Sequence, residues 1–69
     1  MNQKEAVLKY IKVYGSITPL QAFADLGITK LATRISEMRR DGVGIKVESV
    51  ASKNRFGKTV HFAKYSLAE

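Results

Sequence analysis

Cysteine is absent from this chain of 69 residues, and no apolar run is long enough to cross a bilayer. Without cysteine there is neither a disulfide framework nor a thiolate ligand for zinc or an iron-sulfur cluster. A membrane-spanning helix needs about 20 apolar residues, and the opening MNQKEAVLKY lacks the apolar core of a secretory signal. We therefore expect a cytoplasmic protein without a membrane partner, folded as one domain over residues 1–69 and held by packing alone.

Residue types that support catalysis or metal binding are scarce. His61 is the only histidine, and no cysteine or carboxylate cluster accompanies it. We expect it to be a half-buried strand residue rather than a metal ligand. No glycine-rich phosphate loop follows a predicted strand, and no Ser/His/Asp set can be assembled. The sequence thus predicts neither an enzyme nor a cofactor.

Acidic residues are half as numerous as basic ones, six against twelve, which gives a formal net charge of +6. Residues 29–64 contain nine Lys or Arg and three acids, a difference of +6, whereas residues 1–28 and 65–69 together cancel to zero. This uneven charge indicates a polyanionic partner that meets the second half of the chain.

Two amphipathic helices are predicted in the first part of the chain. Apolar residues at three-and-four spacing indicate a helix over residues 3–14, which Asn2 can cap. Thr18 followed by Pro19 is a start signal for a second helix, about residues 19–25. Three large apolar residues in this helix or directly after it are expected to face the core: Leu20, Phe23 and Leu26.

A third helix is predicted over about residues 30–41. Only Gly27 and Ile28 separate the second helix from Thr29, which we expect to cap the third. Helices joined by so short a turn must cross at a steep angle, as in a helix-turn-helix. On a helical wheel the core sector contains Leu31, Ile35 and Met38. The opposite side and its flank carry Lys30, Thr33, Arg34, Ser36, Glu37 and Arg40.

After Gly42 the apolar period changes from three-and-four to two, which indicates strands. The stretches GIKVESV and TVHFAKYSL flank a polar tip that contains glycine, so we expect a β-hairpin with its loop at about residues 52–58. Four residues are expected to pack the hairpin on the helices: Ile45, Val47, Tyr65 and Leu67. Phe56 is expected to be a packed anchor of the loop rather than an intercalating wedge. The predicted fold class is α+β, three helices followed by a two-stranded hairpin.

The stretch SITPLQAFADLGITKLATRISEMRRDGVGI resembles the small winged helix-turn-helix domains encoded by bacteriophages and prophages. These share a Gly-x-Ile-(Thr/Ser)-Pro-Leu-x-Ala opening, a Leu-Gly-Ile turn, a Leu-Ala-x-Arg-Ile-x-x-Leu-Arg segment and a Gly-x-x-Ile end. The similarity runs from Gly15 to Ile45, about half the chain, and the closing YSL is similar to the Tyr-Arg-Leu that ends the wing in that group. Met38 stands where leucine is usual, and Lys64 precedes rather than follows Tyr65.

The resemblance implies a winged helix-turn-helix that binds double-stranded DNA, with the third helix in the major groove and the hairpin as the wing. The chain departs from the older repressor pattern at Phe23 and Thr33. Base contacts are therefore assigned from the helical wheel instead of being copied from repressors.

Ten residues are predicted to contact DNA. Lys30, Thr33 and Arg34 are the candidates for base edges. Glu37 either accepts from a cytosine amino group or orients Arg34 or Arg40. Thr29 is expected to bind phosphate as well as to cap the helix, and Arg40 reaches phosphates, as its neighbour Arg39 would, if the helix lies along the groove. The wing residues expected on the backbone or in the minor groove are Lys53, Asn54, Arg55 and Lys58.

A phage-type transcriptional regulator is the function that this pattern favours. Because one such module has a small footprint, a homodimer or a cooperative array on DNA is expected. Three alternatives stay open: an excisionase-like recombination accessory factor, a winged-helix module that binds a host or phage protein and inhibits it, and an RNA-binding protein.

Overall fold

The computed structural model describes residues 2–68. Its elements are α1 (Gln3–Tyr14), α2 (Pro19–Leu26), α3 (Leu31–Arg40), β1 (Ile45–Lys53) and β2 (Thr59–Leu67). The strands form an antiparallel hairpin, so the predicted fold class is confirmed. Within the described range, no helix has both the length and the apolar character that crossing a bilayer requires.

Hydrogen bonds fix both ends of α2. The Gln21 N–H donates to Thr18 Oγ1 at 3.2 Å, and the Thr18 N–H donates back to Gln21 Oε1 at 3.0 Å, a reciprocal capping box. At the other end Gly27 adopts a left-handed φ of 67° and its N–H donates to the Phe23 carbonyl. The following residue, Ile28, is only 2% exposed and turns the chain into the core. The turn between α2 and α3 is fixed by these contacts.

The expectation that Leu20 and Phe23 face the core is wrong, since they are 75% and 59% exposed. Ala22 is fully buried in their place, and Leu26, one turn later, is partly buried. At about 100° per residue, Phe23 lies on the flank of the Ala22 and Leu26 face and Leu20 lies further round. The orientation of so short a helix is set by the buried residues on either side of it, Ile17 and Ile28, rather than by its largest side chains.

Helix α3 begins at Leu31, one residue later than predicted. Lys30 is the N-cap residue, with φ −120° and ψ 59°, so the expected cap by Thr29 is wrong. Because Ile28 is drawn into the core, the chain needs both Thr29 and Lys30 to return to the start of the helix. The predicted core face is confirmed, with Leu31, Ile35 and Met38 all at most 3% exposed.

Strand β2 is the inner strand of the sheet. On one side it pairs with β1, with Ile45 opposite Leu67 and Lys53 opposite Thr59. On the other side it forms a single bridge to Ile17, whose N–H donates to the Tyr65 carbonyl at 2.8 Å. Ile17 therefore adds a short third strand segment that the apolar pattern did not indicate.

The hairpin packs on the helices only at its base. Ile45 and Tyr65 are 8% and 9% exposed, as expected, and Leu67 is partly buried. Val47 is 52% exposed, so its predicted burial is wrong. It shares a face with Tyr65, but it lies on the outer strand, beyond the reach of the helices. His61 is exposed rather than half-buried because it lies farther along the hairpin.

The core consists of one layer between the helices and the base of the hairpin. Its buried members are Val7, Ile11, Ile17, Ala22, Ile28, Leu31, Ile35, Met38, Ile45 and Tyr65. No buried residue lies between Ile45 and Tyr65, and the molecule measures 39 × 24 × 21 Å. The far half of the hairpin, including its loop, thus projects from the body of the protein.

Candidate nucleic-acid interface

The outward face of α3 is polar and cationic. Because the core face is narrow, the residues between its members point to solvent, and Thr33, Ser36 and Arg40 are exposed. Lys30 is exposed at the N-terminal end of the helix, and Thr29 is exposed in the turn before it. The structure therefore brings together, on one side of the molecule, five residues that the wheel had assigned to an outer or terminal position.

Arg34 and Glu37 form a close pair on the flank of α3. Arg34 Nε lies 3.3 Å from Glu37 Oε1, and the two side chains are 28% and 35% exposed. The pair has the distance of an ion pair but not the geometry of a hydrogen bond, and within residues 2–68 the buried Nε has no hydrogen-bond partner. The contact that the sequence predicted between Glu37 and a neighbouring arginine is therefore present with Arg34.

The two ends of α3 differ in how they are held. In the described residues no side chain caps the N-terminal end, so the amide groups of its first turn stay available to an external acceptor. At the other end, Lys4 Nζ lies 3.0 Å from Asp41 Oδ2 and links α1 to the residue that follows α3. In this ion pair the negative charge of Asp41 is balanced by Lys4 of the same chain.

Arg39 and Arg40 are neighbours with different surroundings. Arg39 Nη2 donates to the Ile45 carbonyl at 2.9 Å in a partly buried contact. That contact ties the end of α3 to the first residue of β1, and thus to the base of the hairpin. Arg40 has an exposed side chain on the outer face. Arg39 is also exposed overall, so both arginines place positive charge at this end of the helix, and the Arg39 side chain is additionally held by its hydrogen bond within the domain.

Asn54 organises the loop of the hairpin. Its side-chain Oδ1 accepts from the Phe56 and Lys58 N–H groups at 2.9 and 3.0 Å. Its backbone N–H donates to the Lys58 carbonyl, and its carbonyl accepts from the Gly57 N–H at 3.0 Å. Gly57 has a φ of 79°, a left-handed conformation that glycine adopts without steric cost. These four hydrogen bonds form a compact turn of the kind that asparagine favours.

The loop itself is shorter than expected. The strands continue to Lys53 and resume at Thr59, so the loop spans residues 54–58 rather than 52–58. The cationic side chains at and beside it are all exposed: Lys53, Arg55 and Lys58. Phe56 is 89% exposed, so the expectation of a packed anchor is wrong. The loop is too far from the helices for its aromatic ring to reach the core.

Comparison with known protein families agrees with this arrangement. The sequence profile of a family described as "Winged helix-turn-helix domain" matches residues 2–69, nearly the whole chain. The chain belongs to this winged helix-turn-helix family. No curated protein and no solved structure gives a significant match. The family fold is a DNA-binding fold, so duplex DNA is the partner class that the domain implies.

Within the winged helix-turn-helix domain each element takes a defined place. Helices α2 and α3 are the two helices of the motif, joined at Gly27, and the β1–β2 hairpin is the wing. Sequence reasoning also missed the hydrogen bond of Arg39 and misjudged the surroundings of Phe56. Arg39 could be mistaken for a free surface cation because its acceptor is a backbone carbonyl. The exposed Phe56 had a usable signal in the segment Asn-Arg-Phe-Gly, since Asn and Gly at these positions favour a tight turn.

Proposed function

We propose that this winged helix-turn-helix protein binds double-stranded DNA in a sequence-specific manner and acts as a phage-type transcriptional regulator. Helix α3 enters the major groove, and the wing follows the backbone or enters the minor groove. The observation that carries the proposal is the exposed cationic outer face of α3, next to an uncapped helix N-terminus. A helix with its side chains, about 10–12 Å across, fits the major groove, which is about 12 Å wide.

The residues of α3 take different roles in this proposal. Lys30 and Thr33 are exposed in the first turn and reach base edges, where Lys pairs with guanine and the Thr methyl group meets a thymine methyl group. Arg34 reads a base from the flank, with its guanidinium oriented by Glu37. Thr29 and Arg40, at the two ends of the outer face, contact phosphates together with the free amides of the first turn.

The wing supplies contacts that carry less sequence information. Arg55, Lys53 and Lys58 are exposed cations that bind phosphates or the minor groove. The oxygen of the Asn54 side chain is engaged by two backbone amides, so this residue contributes by shaping the loop, and only its amide nitrogen remains for DNA.

Selection of bound fragments from random duplex DNA, repeated at two salt concentrations, tests this proposal. We expect one motif to be enriched at both, with affinity that falls steeply as salt rises because phosphate contacts release counterions. The selected sequences also distinguish a transcriptional regulator from an excisionase-like accessory factor. Direct repeats bound by a cooperative protein filament would indicate the excisionase-like function. Binding that vanishes near physiological salt with no enriched sequence contradicts the regulator. Competition by double-stranded RNA as strong as by duplex DNA contradicts it as well.

A second candidate, a module that binds a host or phage protein, is favoured by one observation. Leu20 and Phe23 on α2 and Val13 and Tyr14 on α1 are exposed apolar residues, the kind of surface that marks protein contacts. If the protein is such a protein-binding module, the double variant Leu20→Ser with Phe23→Ser should lose its biological activity. The double variant Lys30→Ala with Arg34→Ala should keep it. The regulator predicts the reverse, measured as repression of a reporter that carries the selected duplex.

A further inference from the structure

We propose that Phe56, at the tip of the wing, is an aromatic wedge that contacts the bases of bound duplex DNA and opens one base step. This inference rests on the proposed DNA binding and deepens it, because the wing was assigned above only through its cations. Phe56 is 89% exposed, more than Leu20 at 75% or Tyr14 at 70%. It contributes nothing to the core, and it lies in the loop that joins the two strands, at the end of the hairpin away from the buried residues Ile45 and Tyr65.

The backbone beneath this ring is already ordered. Asn54 Oδ1 accepts from the amide of Phe56 itself, and three further hydrogen bonds close the same turn around Asn54, Gly57 and Lys58. A single exposed apolar side chain on a surface is ordinary, but a flexible loop would have to be ordered when it binds. Because this loop is held in advance, the ring can be inserted with a smaller loss of conformational entropy.

The chemistry around the ring indicates the class of ligand. Arg55 is its neighbour in sequence, Lys58 lies in the same loop, Lys53 directly precedes the loop, and no acidic residue occurs between Glu48 and Glu69. An aromatic ring among cations suits a ligand that offers anionic groups next to apolar faces. Duplex DNA offers both, since phosphates border the minor groove and base faces become accessible when an apolar side chain opens a step. Pyrimidine-purine steps open most easily.

Two other partners offer a similar combination, namely an anionic membrane surface and an apolar protein pocket with an acidic rim. The structure favours DNA because the cationic face of α3 belongs to the same domain as the wing. DNA uses both surfaces, whereas contact through the tip alone would leave α3 without a role. The membrane and the protein pocket are outcomes of the experiments below.

Phe56→Trp provides a direct reporter, because the chain contains no tryptophan. We expect its fluorescence to be quenched by a mixed-sequence duplex, since an indole that stacks on bases is quenched. In the same titration, 2-aminopurine placed at TA steps should brighten as its neighbour is unstacked. Indole emission that is unchanged by duplex DNA and by vesicles overturns the inference in favour of the apolar protein pocket. A blue shift with vesicles of anionic phospholipid, with no response to DNA, overturns it in favour of a membrane surface.

Phe56→Ala and Arg55→Gln separate the ring from the charge beside it. We expect Phe56→Ala to bind duplex DNA about tenfold more weakly with the same salt slope, because stacking is lost and no charge changes. Arg55→Gln should lower the magnitude of the salt slope, the change of log affinity with log salt concentration, by about 1, because one phosphate contact is lost. Duplex bending, measured by energy transfer between dyes at its two ends, should decrease with Phe56→Ala and persist with Arg55→Gln. Phe56→Leu should keep most of the bend, as an aliphatic wedge also opens a step.

The failures of the two proposals are distinguishable. If the wild type binds no duplex at either salt concentration, DNA binding and the wedge both fail. If the wild type binds with a normal salt slope and Phe56→Ala matches it in affinity and bending, only the wedge fails. Loss of the fold does not confuse this comparison, since an exposed ring leaves the thermal midpoint of Phe56→Ala unchanged. Weakened binding of Phe56→Ala with an unchanged bend places the ring against the sugar-phosphate backbone and overturns the wedge.

Discussion

In the proposed interface, Glu37 places a negative charge near phosphates, and its contact with Arg34 offers a physical reason for its presence there. Its carboxylate lies 3.3 Å from Arg34 Nε, on the flank of α3 rather than at the centre of the outer face. A fixed carboxylate limits the directions in which the guanidinium can point. We propose that Glu37 lowers the general attraction of the surface to DNA and in return restricts the orientation of Arg34.

Replacing Glu37 with Gln should therefore raise affinity and lower discrimination. We expect binding to a random duplex to become up to about fivefold tighter, as one like charge near phosphates corresponds to at most about 1 kcal/mol at an exposed site. The ratio of specific to random binding should fall. Fluorescence anisotropy with the selected and a scrambled duplex measures both. Glu48→Gln, the same change on β1, is the matched control, and an equal loss of discrimination in both variants contradicts the orienting role.

At the scale of the elements, the positions of α1 and α2 are coupled through one hydrogen bond. Tyr10 Oη donates to Asp25 Oδ2 at 2.5 Å. The bond to the carboxylate is the main cause that raises the pKa of Tyr10 from 10.0 to about 12, with smaller contributions from desolvation and from the charge of Asp25. The neutral phenol is therefore the form that joins the two helices.

This coupling predicts a loss of stability in alkali. Since the pKa of Tyr10 in the folded protein lies above its ordinary value, the stabilisation is complete below pH 10.0 and disappears as the pH rises towards about 12. The difference in free energy of unfolding between wild type and Tyr10→Phe should shrink across this window. Denaturant unfolding followed by circular dichroism gives the difference, and tyrosinate absorbance should lose its highest-pKa component in Tyr10→Phe. A constant difference up to pH 12 contradicts the assignment.

The junction between α3 and the wing gives a second prediction at this scale. Arg39→Gln removes the donor to the Ile45 carbonyl and should lower the free energy of unfolding by about 1 kcal/mol. For a domain of this size that corresponds to a midpoint lower by about 4–8 °C. Arg40→Gln, at the exposed neighbouring position, should leave the midpoint unchanged and weaken DNA binding. Thermal unfolding of the two variants separates a structural arginine from a binding one, and equal midpoints contradict the distinction.

At the scale of the whole molecule, the sequence predicted the structure best where the deciding residues belong to one element, as with helix-start residues and the apolar spacing of one helix. Asn2, Thr18 and Pro19 marked helix starts, and the spacing of Leu31, Ile35 and Met38 defined the buried face of α3 correctly. Those signals lie within one element. Prediction failed where burial depends on a neighbouring element, as for the large apolar residues of α2.

Long-range contacts account for the remaining errors. Ile17 is buried where it bridges to Tyr65 across the sheet, and Val47 is exposed because it lies on the outer strand and farther from the base of the hairpin than Ile45. No periodicity within 15 residues reports such distant pairing. The candidates on α3 were predicted from the wheel and those of the wing from the polar hairpin tip. The structure selects Arg34 as the partner of Glu37 and adds the hydrogen bond of Arg39 and the exposure of Phe56. Whether these residues bind DNA stays a prediction.

The central claim concerns which cations meet DNA, and charge-matched variants test it most directly. Lys30→Ala with Arg40→Ala removes two exposed cations from α3, and Lys9→Ala with Lys12→Ala removes two exposed cations from α1, so both proteins lose the same charge. The measurement is the affinity of each for the selected duplex over a series of salt concentrations. The α3 variant should bind at least about tenfold more weakly, with a salt slope lower by about 2, while the α1 variant stays close to wild type. An equal loss in both variants would show that net charge alone attracts DNA and would contradict a specific interface on α3.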